Sequence, residues 1–273
     1  MKPADRWAVH DLRHTYHYSA VHEAQIRAER GTWIAQPKVD GVWAVAFYGR
    51  GEDAITVRGR RGTVIASLPV EPRADLSFTI TAEFKDDTLY AFDCLQFNGV
   101  DWRVMPFRDR LQAMFRACVT LGSDHMCALP VSCEPSDLFE WTKRDPEMYD
   151  GIVMKSMDAI YDDESRPHYK CKHSVTMDYV ITGITYTSPA KTYAGWANGF
   201  QGALYINGEL VDVCKIPNLP HKMRNAATKR PDQFIGRVVE ARGQRVFPSG
   251  ALRHPAYVRM RDDKPARSCM WTR

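Results

Sequence analysis

Two tight-turn dipeptides, Asp40-Gly41 and Asn207-Gly208, each stand between segments rich in β-branched and aromatic residues. Segments of that composition on either side of such a dipeptide read as strands entering and leaving a sharp turn. The first dipeptide joins TWIAQPKV to GVWAVAFYG, and the second lies within ALYINGELVDVCKI. AITVRG, GTVIASL, FTITAEF and LYAFDCLQF add short strands, and DGIVMK and YKCK return to strand later. In this first part, helical spacing is seen in PFRDRLQAMFRACVTL, a helix starting just after Pro106, and over residues 12–30, closed by Gly31. Connections this short favour antiparallel pairing, so the expected class is α+β.

After Lys172 the texture changes. MDYVITGITYT, the hairpin around Asn207-Gly208, a short helix near 218–228, FIGRVVEARG and AYVRMR follow in turn. About five strands in roughly 100 residues suit a small β-barrel such as an OB-fold. The expected domains are therefore 1–173 and 174–273.

The 273 residues are ample for two modest domains with buried cores. Seven cysteines, an odd number with no C-x-x-C pair, argue against a disulfide framework or a cysteine zinc site. They point to a reducing, cytoplasmic setting. No apolar run reaches the roughly 20 residues of a spanning helix, and the start has no apolar core of signal-peptide type. The expectation is a protein with no membrane association. Residues 215–273 carry 14 Lys and Arg against 4 Asp and Glu, a net +10, which leaves −6 on the rest of a chain whose total is +4. A basic C-terminal quarter suits a polyanionic partner, although a solvated basic face has the same composition.

Lys38-Val39-Asp40-Gly41 is the string that carries chemistry. A lysine beside a tight turn can present its amine to a cleft, and a desolvated amine is a nucleophile. By itself such a tetrapeptide more often makes a surface turn. It is followed in order by Arg58-Gly59, Glu83 in TAEF, Phe92-Asp93, Asp150-Gly151-Ile152-Val153-Met154-Lys155, Lys170-Cys171-Lys172 and Arg261-Asp262-Asp263-Lys264. This succession resembles the covalent nucleotidyltransferase superfamily of DNA ligases, RNA ligases and mRNA capping enzymes. The run LRHPAYVRMRDDKP is similar to the end of ATP-dependent DNA ligases.

The resemblance implies an ATP-grasp-like nucleotidyltransferase domain of antiparallel sheets with helices, then an OB-fold barrel. It implies ATP and Mg²⁺ (or Mn²⁺) as cofactors, nicked duplex DNA as partner, and a monomer. Lys38 would hold AMP as a phosphoramidate, with Asp40 and Gly41 beside the nucleotide. Gln36 would read the adenine edge, and Phe92 would stack on the base. Arg58 and Glu83 would hold the ribose and later the nick phosphate, with Arg60 and Arg61 also near DNA. Asp150, with Glu83, would bind the metal. Lys170 and Lys172 would neutralise the α-phosphate, and Arg261 and Lys264 would grip the β- and γ-phosphates.

Two positions depart from the family pattern. Trp43 stands where ligases usually have an arginine, and Asp150 where many ATP-dependent ligases have glutamate. Only 37 residues precede Lys38, too few for a nicotinamide-binding domain, so the expectation is the minimal two-domain form found in bacteriophages and other viruses, or as small bacterial accessory enzymes. An RNA ligase or capping guanylyltransferase, and a non-catalytic binder of nucleic-acid ends, stay open as alternatives.

Overall fold

A computed structural model of the protein describes residues 16–17, 32–161, 168–190 and 192–272. The chain divides into two compact units between Lys172 and His173. Unit 1 contains, in chain order, β1 (Tyr16–His17), β2 (Trp33–Val39), β3 (Val42–Tyr48), β4 (Ala54–Gly59), β5 (Val64–Pro69), β6 (Phe78–Lys85), β7 (Thr88–Phe97) and β8 (Val100–Asp101). Then come α1 (Phe107–Leu121), β9 (Met126–Ala128), α2 (Pro135–Thr142), β10 (Tyr149–Ser156) and β11 (His168–Lys172). One sheet runs β5-β4-β3-β6-β7-β8 with β9 beside β7, and the other runs β1-β11-β10-β2.

The segments flanking Asp40-Gly41 are strands, but they do not pair with each other. β2 pairs with β10 in the smaller sheet, whereas β3 lies between β4 and β6 in the larger one. The dipeptide is the crossing point between sheets. Burial explains why β3 leaves its neighbour. Ala44, Ala46 and Tyr48 join a core with α1, while Trp43 and Val45 pack with Leu95 on the opposite face. A strand covered on both faces needs the unbroken apolar run VWAVAFY, which an edge hairpin would not.

Helix α1 presents Phe107, Leu111, Met114, Cys118 and Leu121 to the larger sheet, the 3–4 spacing of a one-sided helix. It stops at Gly122, whose left-handed φ of 63° lets its N–H bond to the Cys118 carbonyl. Helix α2, not expected from the sequence, lays Leu138 and Phe139 on Trp33, Ala35, Ile152 and Met154 of the smaller sheet. Of the helix expected over 12–30, only Tyr16–His17 are described. They form a two-residue strand parallel to β11 instead, because pairing with a neighbouring strand overrides local helical preference. The rest of that segment lies outside the described residues.

Unit 2 is a three-stranded meander, β12 (Val175–Tyr186), β13 (Ala197–Ile206) and β14 (Glu209–Pro217), then α3 (His221–Lys229). A second hairpin, β15 (Val238–Gly243) and β16 (Ala256–Met260), returns to β12, and β17 (Met270–Trp271) joins β13. The turn at Asn207-Gly208 has positive φ at both residues, 53° and 86°, as a type I′ hairpin requires. The strand expected at FIGRVVEARG begins only at Val238, since Gly236 turns the chain with φ 82°. Tyr179, Ile181, Phe200, Leu204, Ile216 and Val239 centre the core. Among the described residues no helix is long and apolar enough to cross a membrane.

Candidate active site

Crossing from one sheet to the other at Gly41 leaves a cavity of about 290 Å³ lined from both. Gln36, Lys38, Gly41, Arg60, Glu83, Phe92, Lys170 and Lys172, all singled out from the sequence, line it. Gln36 and Lys38 share one face of β2, two residues apart, and Lys170 and Lys172 share one face of β11 by the same alternation. Gly41 is required by a close approach: a Cβ there would sit 2.6 Å from the Phe84 carbonyl oxygen.

Two β-bulges aim the remaining groups. In the β2–β10 ladder, Val39 faces Tyr149 and Lys38 faces Gly151, so Asp150 is the extra residue. In the β6–β7 ladder, Thr81 faces Asp93 and Ala82 faces Ala91, so Phe92 is extra. Bulges re-aim side chains in this way beside functional sites. The Lys38 Nζ donates to Asp150 Oδ2 at 2.7 Å, and Lys172 Nζ lies 3.6 Å from the same oxygen. Gly151 makes the bulge possible. Its φ is 137°, and a Cβ would fall 2.0 Å from the Cys171 carbonyl oxygen.

Asp40, Arg58, Arg61 and Asp150 are not among the lining residues. Asp40 uses its N–H on the Met148 carbonyl. Arg58 Nη1 donates to Gly62 O at 2.8 Å, bracing the turn that carries Arg60 and Arg61. Arg261 and Lys264 belong to unit 2, where both bind Asp178.

Burial sets the electrostatics. It pushes the Glu83 carboxyl up to about 7, against the opposing pull of Lys38 and a hydrogen bond from the Gly41 N–H, while Asp150 and Asp40 add to the rise. Lys170 is held below the ordinary lysine value by burial, then by the neighbouring charges of Lys172 and Lys38. Gln36 is 1% exposed, and neither end of its amide has a hydrogen-bond partner among the described residues. Leaving buried polar atoms unpaired costs about 1–3 kcal/mol each. The arrangement suits a ligand that offers both an acceptor and a donor.

Among the lining residues to which the sequence gives no role are Lys155 and Trp43. Lys155 ends the string DGIVMK, two residues beyond Val153, which also lines the cavity. Its Nζ donates to the Phe92 carbonyl at 3.0 Å and lies 4.6 Å and 4.7 Å from the ring centres of Phe92 and Phe107. Burial lowers it to about 7; Asp93 opposes that shift and Arg110 adds to it. Asp93, the residue after Phe92, forms a bidentate pair with Arg110 at 2.9 and 3.0 Å, with the Arg110 side chain wholly buried. Trp43 lines the cavity with its indole Nε1 buried and without a hydrogen-bond partner among the described residues, and Arg60 lies 5.9 Å over its ring.

Among the described residues no group of three or more His, Cys, Asp or Glu could hold a metal. Glu83 and Asp150 nonetheless have the donor chemistry that a Mg²⁺ ion takes. They are two carboxylates whose charges oppose each other, and Mg²⁺ commonly takes one or two carboxylates and completes its shell with water and phosphate.

Unit 1 is thus two sheets with few helices and a cavity lined from both, with Lys38, Lys155, Lys170 and Lys172 on its wall. Solved structures that share this fold include a DNA ligase. A structure from work on Lig E DNA ligases, described as binding DNA with a minimal scaffold, aligns over 90% of this chain and 97% of its own, with TM-score 0.64 and 14% identity. Two structures named Pmar-Lig_PreS3 and Pmar-Lig_Pre. align over 90% of this chain with TM-scores 0.66 and 0.67, each at 14% identity. The match spans 66% of those two chains, just under two thirds of their length. No protein-family profile and no curated protein matches the chain. The likeness is therefore one of fold.

Proposed function

We propose that the protein is an ATP-dependent DNA ligase sealing 3′-hydroxyl/5′-phosphate nicks in duplex DNA. The adenylation domain would be 1–173, and 174–273 would be an OB-fold domain. The observation that carries this reading is the Lys38 amine, held by Asp150 inside a cavity that also contains Lys170 and Lys172. Three lysines converging on one small cavity suit a phosphorylated ligand. The unpartnered Gln36 amide suits an adenine edge, which offers a donor and an acceptor to a glutamine. The Phe92 ring suits stacking on the base.

Lys38, once it has given up its proton, would attack the α-phosphorus of ATP. A nitrogen–phosphorus bond forms, the bond to the β-phosphate oxygen breaks, and pyrophosphate leaves with the electron pair. Lys170 and Lys172 offset the charge that builds on the α-phosphate oxygens. AMP then passes to the 5′-phosphate of the nick, freeing Lys38, and the 3′-hydroxyl expels AMP as the new diester forms. Glu83 and Asp150 would hold Mg²⁺ (or Mn²⁺), which neutralises phosphate charge. Arg58, Arg60 and Arg61 would meet DNA phosphates, and Arg261 and Lys264 the β- and γ-phosphates. Support for the barrel comes from the strand order of unit 2: a meander, a helix, then a hairpin returning to the first strand.

Incubation with labelled ATP or GTP and Mg²⁺, followed by a nicked duplex, tests the reading. Covalent label from ATP alone, discharged on sealing the nick, is expected. Label from GTP would point to capping chemistry, and no label from either would point to a non-catalytic binder of nucleic-acid ends.

A further inference from the structure

The two cations assigned to the phosphate tail do not stand alone in unit 2. Arg261 Nη1 donates to Asp178 Oδ2 at 3.1 Å, and Lys264 Nζ donates to the same oxygen at 2.7 Å. Asp178 lies on β12, more than 80 residues back along the chain. Its side chain is 12% exposed, against 20% for Arg261 and 31% for Lys264. The carboxylate is thus the deepest member of the trio. Arg261 also bonds through Nε and Nη2 to Asp263, which is 63% exposed, and lies 3.8 Å from Glu240.

Two long cationic side chains left to themselves would separate, through mutual repulsion and rotamer freedom. Here one half-buried carboxylate oxygen holds both within hydrogen-bond reach of a single point. An ammonium has three donors and a guanidinium five; with Arg261 bonded through Nη1 to Asp178 and through Nε and Nη2 to Asp263, one hydrogen on each Nη and two on Lys264 Nζ are left for a second anion. A triphosphate tail can meet them there without the cost of first gathering the two side chains.

We propose that Asp178 is a positioning residue, gathering Arg261 and Lys264 into one two-cation cradle for the terminal phosphates of ATP. This rests on the ligase reading above. The substrate-side ligand is the pyrophosphate moiety, whether arriving within ATP or as the free leaving group. Asp178 itself touches neither.

The test compares the full-length wild type with Asp178→Asn and Asp178→Glu in three assays. Self-adenylylation is followed across ATP concentrations. Release of AMP from the adenylylated enzyme is followed against inorganic pyrophosphate. Sealing is followed on a nick carrying preformed 5′-adenylate, which needs no pyrophosphate site. Asp178→Asn is expected to raise the KM for ATP, and the pyrophosphate concentration for half-maximal release, by about 10-fold or more, the loss of one charge-assisted contact. Sealing of the pre-adenylated nick should stay within about 2-fold of wild type, and Asp178→Glu, which keeps the charge, should recover part of the loss.

Unchanged KM and pyrophosphate dependence in Asp178→Asn would overturn the proposal. Equal losses in all three assays would also overturn it, because Asp178 would then only hold the barrel together. Should Asp178→Asn fail to fold, Asp178→Glu must show the same step-selective pattern in milder form, and wild-type behaviour there counts against the proposal. A wild type that takes no label from ATP would instead sink the ligase reading, so the two failures are distinguishable.

Discussion

Lys38 Nζ and Asp150 Oδ2 stand 2.7 Å apart although 112 residues separate them. The contact exists because Asp150 is the extra residue of a bulge opposite Lys38, made possible by Gly151. If Lys38 is the nucleophile, Lys38→Ala and Lys38→Arg both abolish covalent labelling from ATP, since a guanidinium stays protonated. Asp150→Asn should slow labelling by roughly 10²-fold or more. Gel detection of labelled protein checks all three, and label surviving on Lys38→Arg refutes the assignment.

Gln36 couples stability to binding in opposite directions. Its buried amide is unpartnered at both ends, so Gln36→Leu removes an unpaired polar group at little cost in shape. The nucleotide-free variant should be more stable by about 1–3 kcal/mol. It should bind ATP more weakly, by about 10-fold, as one well-paired base contact is worth about 1–3 kcal/mol. Denaturant melts without nucleotide and the KM for ATP provide the readouts. A less stable variant with normal ATP binding contradicts the role.

Lys155 predicts a pH-dependent stability. In the folded state burial brings it to about 7, below the ordinary 10.5. The unfolded chain therefore binds more protons between these values, and stability from this group rises with pH across that window. Below pH 7 the cost of holding it charged is fully present, of order 5 kcal/mol at about 1.4 kcal/mol per pH unit. Lost bonding to the Phe92 carbonyl and the two rings subtracts from that. Lys155→Met should thus melt above wild type at pH 6, with the gain shrinking steadily towards pH 10. A pH-independent difference would contradict it.

Binding to nicked duplex should be strongly electrostatic. Residues 215–273 carry +10, and each neutralised phosphate contributes about −0.9 to the slope of log affinity against log salt. Gel-shift titrations at several salt concentrations measure that slope. Arg60→Ala should make it shallower by about one phosphate, and a flat salt dependence contradicts a DNA partner held through these cations.

The residue string alone reveals features that are local. α1 is visible because Phe107, Leu111, Met114, Cys118 and Leu121 recur at helical spacing, and the β13–β14 turn because Asn207-Gly208 tolerates positive φ. The alternation of Lys170 and Lys172 is likewise a property of any strand. Lys38 could be singled out only by the order of motifs around it, not by its own neighbours. Helix α2 was missed, although Pro135 at its start was a usable signal, because eight residues show too little periodicity.

What only the tertiary structure decided is where strands pair and where the pairing slips. Asp40-Gly41 looks like a hairpin turn, yet burial of β3 on both faces sends its flanking strands to different sheets. The bulges at Phe92 and Asp150 depend on the register of a partner strand, which no local pattern encodes. The unpartnered Gln36 amide, the depth of Lys155 and the grip of Asp178 on Arg261 and Lys264 arise the same way. Periodicity is written within a few residues of chain, whereas burial and pairing depend on segments that meet only when the cores close.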